Sequence, residues 1–235
     1  MLVPISALND NYIWLYKRVN SPAIVIDLSE TSQLFQFLCE EELEVEAVFL
    51  THYHDDHTQG VNEFRRVFPH VPIFAPEECD DKGATNILPY LAQTIHTEHY
   101  QVKVLPSGGH TSQHLSYLVD GVLFCGDALF SGGCGRVFTG DYELAFESIQ
   151  QFNALPNDTL ICPAHEYTLG NLTFAETVLP STQAFIEYKT LVEQLRRENR
   201  PSLPSRLSLE KQINPFLKAA NLDEFIALRE AKDLF

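Results

Sequence analysis

The segment AVFLTHYHDDHTQG, residues 47 to 60, constrains the fold more than any other part of this chain. An apolar run delivers four side chains of metal-ligand type, His52, His54, Asp56 and His57, within six residues, directly ahead of a stretch with helical spacing. Alternate side chains of an extended segment share a face, so His52 and His54 can converge on one ion while Asp56 and His57 turn toward a second. Asp55 points away from Asp56 in that arrangement and is read as solvated or structural. Sites are commonly built in loops at strand ends. The chain must therefore fold so that a strand ends at a metal centre.

The rest of the first half supplies a scaffold of that kind. Runs rich in β-formers, closed by polar or glycine-rich turns, predict strands at 12–17, 23–28, 47–51, 71–75 and 101–105. Val61, Phe64, Val67 and Phe68 share one helical face and predict a helix over 59–68. Asp120-Gly121 between LSYLV and VLFCG is a two-residue hairpin signal, because a type I′ turn needs positive φ at both central positions; strands 115–119 and 122–126 are expected to pair. Hairpins mixed with helices indicate an α/β system rather than a purely parallel sheet. Beyond about residue 170 strand signals stop, and helical spacing (Leu191 with Leu195, Glu193 with Arg197) is interrupted at Pro201 and Pro204. The expected division is a main domain over 1–170 and a helical C-terminal subdomain over 171–235. At 235 residues and 45% hydrophobic, a sizeable core is affordable.

Three further donors lie just past β-like runs: His110 after VKVLPSGG, Asp127 after VLFCG and His165 after TLICPA. A lone histidine is more often a surface or hydrogen-bonded residue; the repeated strand-end context reverses that reading. Seven nitrogen and oxygen donors meet the needs of two ions while leaving room for water. His114, four residues after His110, suits an outer hydrogen bond that orients a ligand. His70, His96 and His99 lack the context and are set aside.

Bulk properties narrow the partners. A net charge of -16 repels phosphate backbones and anionic membrane surfaces, so neither nucleic acid nor membrane is expected. The N-terminal residues show no basic start followed by a long apolar run, and no stretch approaches the ~20 apolar residues of a membrane span. The five cysteines are scattered and never at C-x-x-C spacing; each is read as a small buried hydrophobe, with Cys134 in its glycine-rich loop the one open case. A cytoplasmic, monomeric protein is expected.

The order T-H-x-H-x-D-H, G-H-T, G-D, A-H-E-Y resembles the metallo-β-lactamase superfamily, and DNYIW, LFSGGCGR, CPAHEYTLGN and the ending LREAKDLF make the chain similar to its glyoxalase II, or hydroxyacylglutathione hydrolase, family over nearly its whole length. The resemblance implies an αββα sandwich with a helical C-terminal subdomain that helps bind glutathione. It implies that His52, His54 and His110 hold one metal, that Asp56, His57 and His165 hold the other, and that Asp127 bridges them. It also suggests Arg136, Tyr167, Arg229 and Lys232 as glutathione contacts, with Phe138 nearby. Departures from the pattern fall at Tyr53, in place of a histidine, at Gln113, in place of a glycine, and at Thr139-Gly140-Asp141, in place of Glu-Gly-Thr. Gln113 bears on the geometry around His110 and His114 if the backbone there needs positive φ.

The chemistry so implied is thioester hydrolysis, typically of S-D-lactoylglutathione to glutathione and D-lactate, the second step of methylglyoxal detoxification. Water activated between two metals held by Asp56, Asp127 and their partners attacks the carbonyl, and a thiol of pKa ~8.5 leaves without a separate general acid. The donor set, lacking thiolate, suits zinc, iron and manganese alike, with zinc expected first. The rival readings are another hydrolase or a dioxygenase on the same fold, and a catalytically weak metal-binding module.

Overall fold

Strands form where apolar and β-branched residues run between turns, and the computed structural model, which describes residues 1–235, sorts them into two compact units. The first comprises Met1–Pro106 and Gln113–Val119. Its main sheet takes β1 (Leu2–Ala7), β2 (Asn11–Tyr16), β3 (Ala23–Ile26), β4 (Val45–Phe49), β5 (Ile73–Pro76) and β6 (Asn86–Leu88) in sequence order. Hairpin connections make β1, β2 and β3 antiparallel. Longer crossovers make β3 through β6 parallel. Those crossovers carry α1 (Ser32–Glu40), α2 (Asp55–Thr58) and α3 (Val61–Val67). An antiparallel ribbon of β7 (Gln93–His96), β8 (Gln101–Pro106) and β9 (Leu115–Val119) completes the unit.

One core of this unit is the helix-covered face of the main sheet, with Ile13, Leu15, Val25, Val48 and Ile73 packed with Leu34, Val61 and Phe64 from the helices. All are fully buried, and each large side chain so removed from water contributes about 1.5–3 kcal/mol. The parallel register sets the site: Ile26 lies beside Phe49, so β3 and β4 end at one edge and lead into Asp27 and, past Leu50, into Thr51.

The second unit comprises Ser107–Ser112 and Asp120–Phe235. In it β10 (Val122–Gly126) precedes a small hairpin of β11 (Leu129–Phe130) and β12 (Gly133–Cys134). β10 also runs parallel to β13 (Leu160–Pro163), which is edged by antiparallel β14 (Ser205–Arg206). The helices are α4 (Tyr142–Asn153), α5 (Thr168–Val178), α6 (Gln183–Arg197), α7 (Leu207–Ile213), α8 (Pro215–Lys218) and α9 (Leu222–Asp233). Leu172, Ala175, Phe185, Tyr188, Val192 and Ile213 bury the faces of α5, α6 and α7 together.

The expected helix over 59–68 is α3, shortened because Gly60 caps it and Phe68 leaves helical geometry. The 120–121 turn has φ of 49° at Asp120 and 78° at Gly121, the two positive values that a type I′ turn requires. Strand structure does return after residue 170. β14 forms because the chain, released from α6 in a proline-containing stretch, lays Ser205 and Arg206 against Ile161 and Leu160. Four of the five cysteines are buried and all are free; Cys39, at the end of α1, is exposed rather than buried. No helix is long and apolar enough to cross a membrane.

Candidate metal centre

In the first unit, β4 hands the chain to Thr51 and His52, both fully buried. Asp27, at the end of the neighbouring strand and 2% exposed, organises them. Its Oδ1 accepts the Thr51 amide at 2.8 Å, and its Oδ2 accepts the Thr51 hydroxyl at 2.9 Å. A hydroxyl has one hydrogen, so Thr51 Oγ1, having donated to the carboxylate, accepts from His52 Nδ1 at 3.0 Å. That tautomer leaves the lone pair of His52 on Nε2, which faces His54 Nδ1 at 2.9 Å. Asp27 Oδ2 also lies 2.8 Å from His57 Nδ1. Because a carboxylate only accepts, His57 donates there and its lone pair is on Nε2, 3.6 Å from Asp56 Oδ2. Asn11 fixes Asp56 in turn, donating from Nδ2 to its side-chain oxygen at 3.1 Å and to its carbonyl at 3.2 Å.

The second unit repeats this logic. β10 and β13 are parallel, so Asp127 and His165 follow strand ends at one edge, and the Ala164 amide donates to the Gly126 carbonyl at 3.1 Å. His110 Nδ1 donates to the Arg136 carbonyl at 2.9 Å, which leaves its Nε2 lone pair 3.4 Å from Asp127 Oδ2. His165 Nε2 lies 3.4 Å from the other oxygen, Oδ1. One carboxylate thus offers one oxygen to each of two imidazoles. The loop after β12 passes so close that a Cβ on Gly135 would fall 1.9 Å from the Asp127 carbonyl oxygen, so only glycine fits there.

In the neutral rings a lone pair faces a carboxylate oxygen at 3.4–3.6 Å, a contact that is repulsive unless a proton or a metal cation lies between them. Both tautomers are fixed by acceptors on the far side of the ring, an arrangement that orients histidine for metal binding. The residues present therefore fit divalent cations on nitrogen and oxygen donors. Cysteine takes no part: burial pushes the Cys125 and Cys134 thiols up.

His114 is fully buried, its ring centroid 5.0 Å from that of His52. Gln113 does not have positive φ, so glutamine stands in place of the family's glycine without backbone strain, and its backbone N–H donates to Glu78 Oε2 at 3.1 Å. Thr139-Gly140-Asp141 has local work: Thr139 donates its hydroxyl to the Gly109 carbonyl at 2.7 Å, Gly140 turns the chain at φ 73°, and Asp141 caps α4 by accepting from Leu144. Asp55 pairs with Lys82 at 2.9 Å. Tyr53 is half-exposed, its ring edge-on to His54.

Of the residues expected at the substrate, Phe138 is 62% exposed and edge-on to the His110 ring at 5.2 Å, and Tyr167 stacks on the His165 ring at 4.6 Å. Arg136 is exposed along its side chain and lies against the Phe138 ring. Lys232 places its ammonium 5.2 Å from the ring centroids of Phe174 and Phe235; burial and then the neighbouring Arg229 charge lower its pKa. Arg229 is also among the glutathione contacts that the resemblance suggests. It is 4% exposed, donates to the Cys134 carbonyl at 2.8 Å and pairs with Asp233 at 2.9 Å.

Asp27 escaped the sequence reading although its signal was present, an acid directly after the apolar run AIVI, as Asp127 follows VLFCG. Asn11 and Thr51 carry no such signal, since each acts through a partner distant in sequence or through its backbone.

A family model for the metallo-β-lactamase superfamily matches residues 10–165, and one for the hydroxyacylglutathione hydrolase C-terminus matches residues 166–235. A hydroxyacylglutathione hydrolase of Glaesserella parasuis is 46% identical over all of this chain and 99% of its own length. Another, from Actinobacillus pleuropneumoniae, is 47% identical with the same coverage. The chain belongs to the hydroxyacylglutathione hydrolase family. It accordingly has the αββα fold of the metallo-β-lactamase superfamily with a helical C-terminal region, as its likeness to the crystal structure of ETHE1 from Myxococcus xanthus also shows: TM-score 0.73 at 22% identity, covering 98% of this chain and 90% of that one. The family's two sequence models meet between His165 and Glu166, so the carboxylate that accepts the Ser202 amide at 2.8 Å is the first residue of the C-terminal match.

Proposed function

We propose that this chain is a dinuclear-metal thioesterase hydrolysing S-(2-hydroxyacyl)glutathione, typically S-D-lactoylglutathione, to glutathione and a 2-hydroxy acid. The observation that carries the reading is correspondence over the full length to relatives named for that reaction, with all seven donors in place. His52, His54 and His110 would hold one ion and Asp56, His57 and His165 the other, each set being of donor types able to hold a metal. Asp127 would bridge them, a role supported by its presenting one oxygen to His110 and the other to His165. Zinc is the metal we propose, since nitrogen and oxygen donors without thiolate suit it as they suit iron and manganese. Bound there, two divalent ions would supply Lewis-acid chemistry toward a carbonyl and toward water.

The protein's own groups would do the rest. Asp27 holds His57 in one tautomer directly and His52 in the matching one through the Thr51 hydroxyl. The Arg136 carbonyl does the same for His110. The exposed rings of Phe138 and Tyr167, beside His110 and His165, flank the position for the acyl group and the sulfur. Arg136, Arg229 and Lys232 offer cations to the glutathione carboxylates. A glutathione thiol, of pKa ~8.5, leaves as thiolate without a protonated side chain to assist it. We place the helical segment 171–235 as the glutathione-binding subdomain and the protein in the cytoplasm, a reducing compartment consistent with its free cysteines.

The test is steady-state hydrolysis of S-D-lactoylglutathione by purified protein, with bound metal quantified on the same sample. Turnover at about two metals per chain supports the reading. Two bound metals without turnover, alongside cleavage of nitrocefin or another ester, would overturn the substrate assignment.

A further inference from the structure

The hairpin of β11 and β12 leads the chain past Asp127 and His110. A Cβ on Gly135 would fall 1.9 Å from the Asp127 carbonyl oxygen and 3.2 Å from His110 Nδ1, and the next carbonyl, that of Arg136, accepts from His110 Nδ1 at 2.9 Å. The orientation of the His110 ring therefore depends on where this hairpin sits. Its strands are two residues each, too short to fix that place unaided.

Buried side chains of the C-terminal helices fix it instead. Asn214, fully buried at the junction of α7 and α8, donates from Nδ2 to the carbonyls of Phe130 at 3.0 Å and Gly133 at 2.9 Å, one on each strand of the hairpin. Its Oδ1 accepts the Phe216 amide at 3.0 Å as the cap of α8, which settles which end of the side-chain amide faces the hairpin. Glu210, fully buried in α7, grips the turn between the strands: it accepts the Ser131 hydroxyl at 2.6 Å and the Gly132 amide at 2.9 Å. Neither residue reaches a metal ligand directly, and none of the seven donors lies beyond His165.

We propose that Glu210 and Asn214 are positioning residues for the metal centre: by clamping the hairpin they set the Arg136 backbone carbonyl that keeps His110 in the tautomer with Nε2 free for a cation. The side chain of Arg136 takes no part. The helical segment is in this way a structural component of the metal site. The inference rests on the reading of the seven donors as a metal centre and is independent of the substrate.

Asn214→Ser isolates the effect, because serine caps a helix about as well as asparagine but has one hydrogen to donate where the amide has two. Asn214→Asp, which also keeps the cap, has none and turns an oxygen toward both carbonyls. Affinities of the two ions are measured by zinc titration against a chromophoric chelator, in the wild-type and His110→Ala backgrounds. Asn214→Ser is expected to weaken one ion about 10-fold, the lower end of the range for a partner behind a ligand, and by less than about twofold once His110 is alanine. Asn214→Asp should do the same more strongly. Hydrogen exchange over residues 129–136 should be faster in both variants. Unchanged affinities overturn the inference, as does equal weakening in both backgrounds, which marks a general loosening of the fold. Wild type that takes up two ions without hydrolysing the thioester would sink the proposed substrate and leave this inference standing; wild type that takes up none would sink the metal centre and this inference with it.

Discussion

Replacing Asp27 with asparagine exchanges one oxygen for an NH2 group and should weaken a metal site without adding or removing a ligand. The carboxylate accepts from three donors, the Thr51 amide at 2.8 Å, the Thr51 hydroxyl at 2.9 Å and His57 Nδ1 at 2.8 Å. An amide of the same shape has one accepting oxygen and one donating nitrogen. With the oxygen toward the Thr51 amide, the new NH2 faces His57 Nδ1, and the ring must move its proton to Nε2, the atom aimed at Asp56. With the amide flipped, His57 keeps its tautomer but the NH2 opposes the Thr51 N–H, leaving a buried donor unsatisfied at about 1–3 kcal/mol. The first outcome appears as lost metal affinity, about 10- to 100-fold for an outer partner of a ligand, or roughly 1.4–2.8 kcal/mol. The second appears as lost stability. Competition with a chromophoric chelator and a urea titration of the metal-free protein would read both. If affinity stays within twofold and the urea midpoint does not move, the tautomer argument for His57 is refuted.

Asp127→Ala removes the carboxylate shared by His110 and His165; bound metal should fall from two per chain toward one, with hydrolysis lost, and a variant retaining both ions would refute the bridge. Gly135→Ala drives a Cβ into the Asp127 carbonyl oxygen, from which it would lie 1.9 Å, and is expected to cost at least the 1–3 kcal/mol of overpacking together with metal content, read by thermal unfolding and metal analysis. Burial raises the Glu210 pKa against the bonds from Gly132 and Ser131 that lower it, so the folded chain holds this proton more tightly than the unfolded one. The stability linked to it is then complete below the ordinary value of 4.5 and is lost as pH rises toward the folded pKa. Wild type minus Glu210→Gln, by urea unfolding, should therefore shrink with rising pH; a difference that grows would contradict the assignment. Lys232→Ala should raise KM and leave kcat nearly unchanged, and a kcat loss at constant KM would exclude a binding role.

The donors adjacent in sequence were legible because a strand end has a periodic signature: VFL before His52, VLFCG before Asp127 and LICPA before His165 are visible without coordinates. The parallel registers of β3 with β4 and of β10 with β13 explain why that signature works, since side-by-side parallel strands end at the same edge. What stayed hidden depends on contacts distant in the chain. Asp27 acts on His57 from 30 residues away, and the acceptor for His110 is a backbone carbonyl 26 residues on, which no side-chain pattern can reveal. Arg229 illustrates the same limit from the other side. It is buried where the loop carbonyl of Cys134 and the acid one turn along α9 meet it, and the first of these partners lies 95 residues away in the chain.

The same cluster bears on how an acidic protein can take an anionic ligand. The chain carries 16 lysines and arginines against 32 aspartates and glutamates, but at physiological salt exposed charges more than ~8 Å away are largely screened. At the C-terminal end of α9 three cations, Arg136, Arg229 and Lys232, lie with Asp233, while Asp223, Glu224 and Glu230 belong to the same helix. Arg229 is buried and paired, and its charge, after burial as the larger cause, lowers the pKa of Lys232. Asp233 pairs with both arginines and neutralises part of the attraction they could exert, so in the proposed function the anion would be drawn by the local balance of these charges rather than by the net charge of the chain.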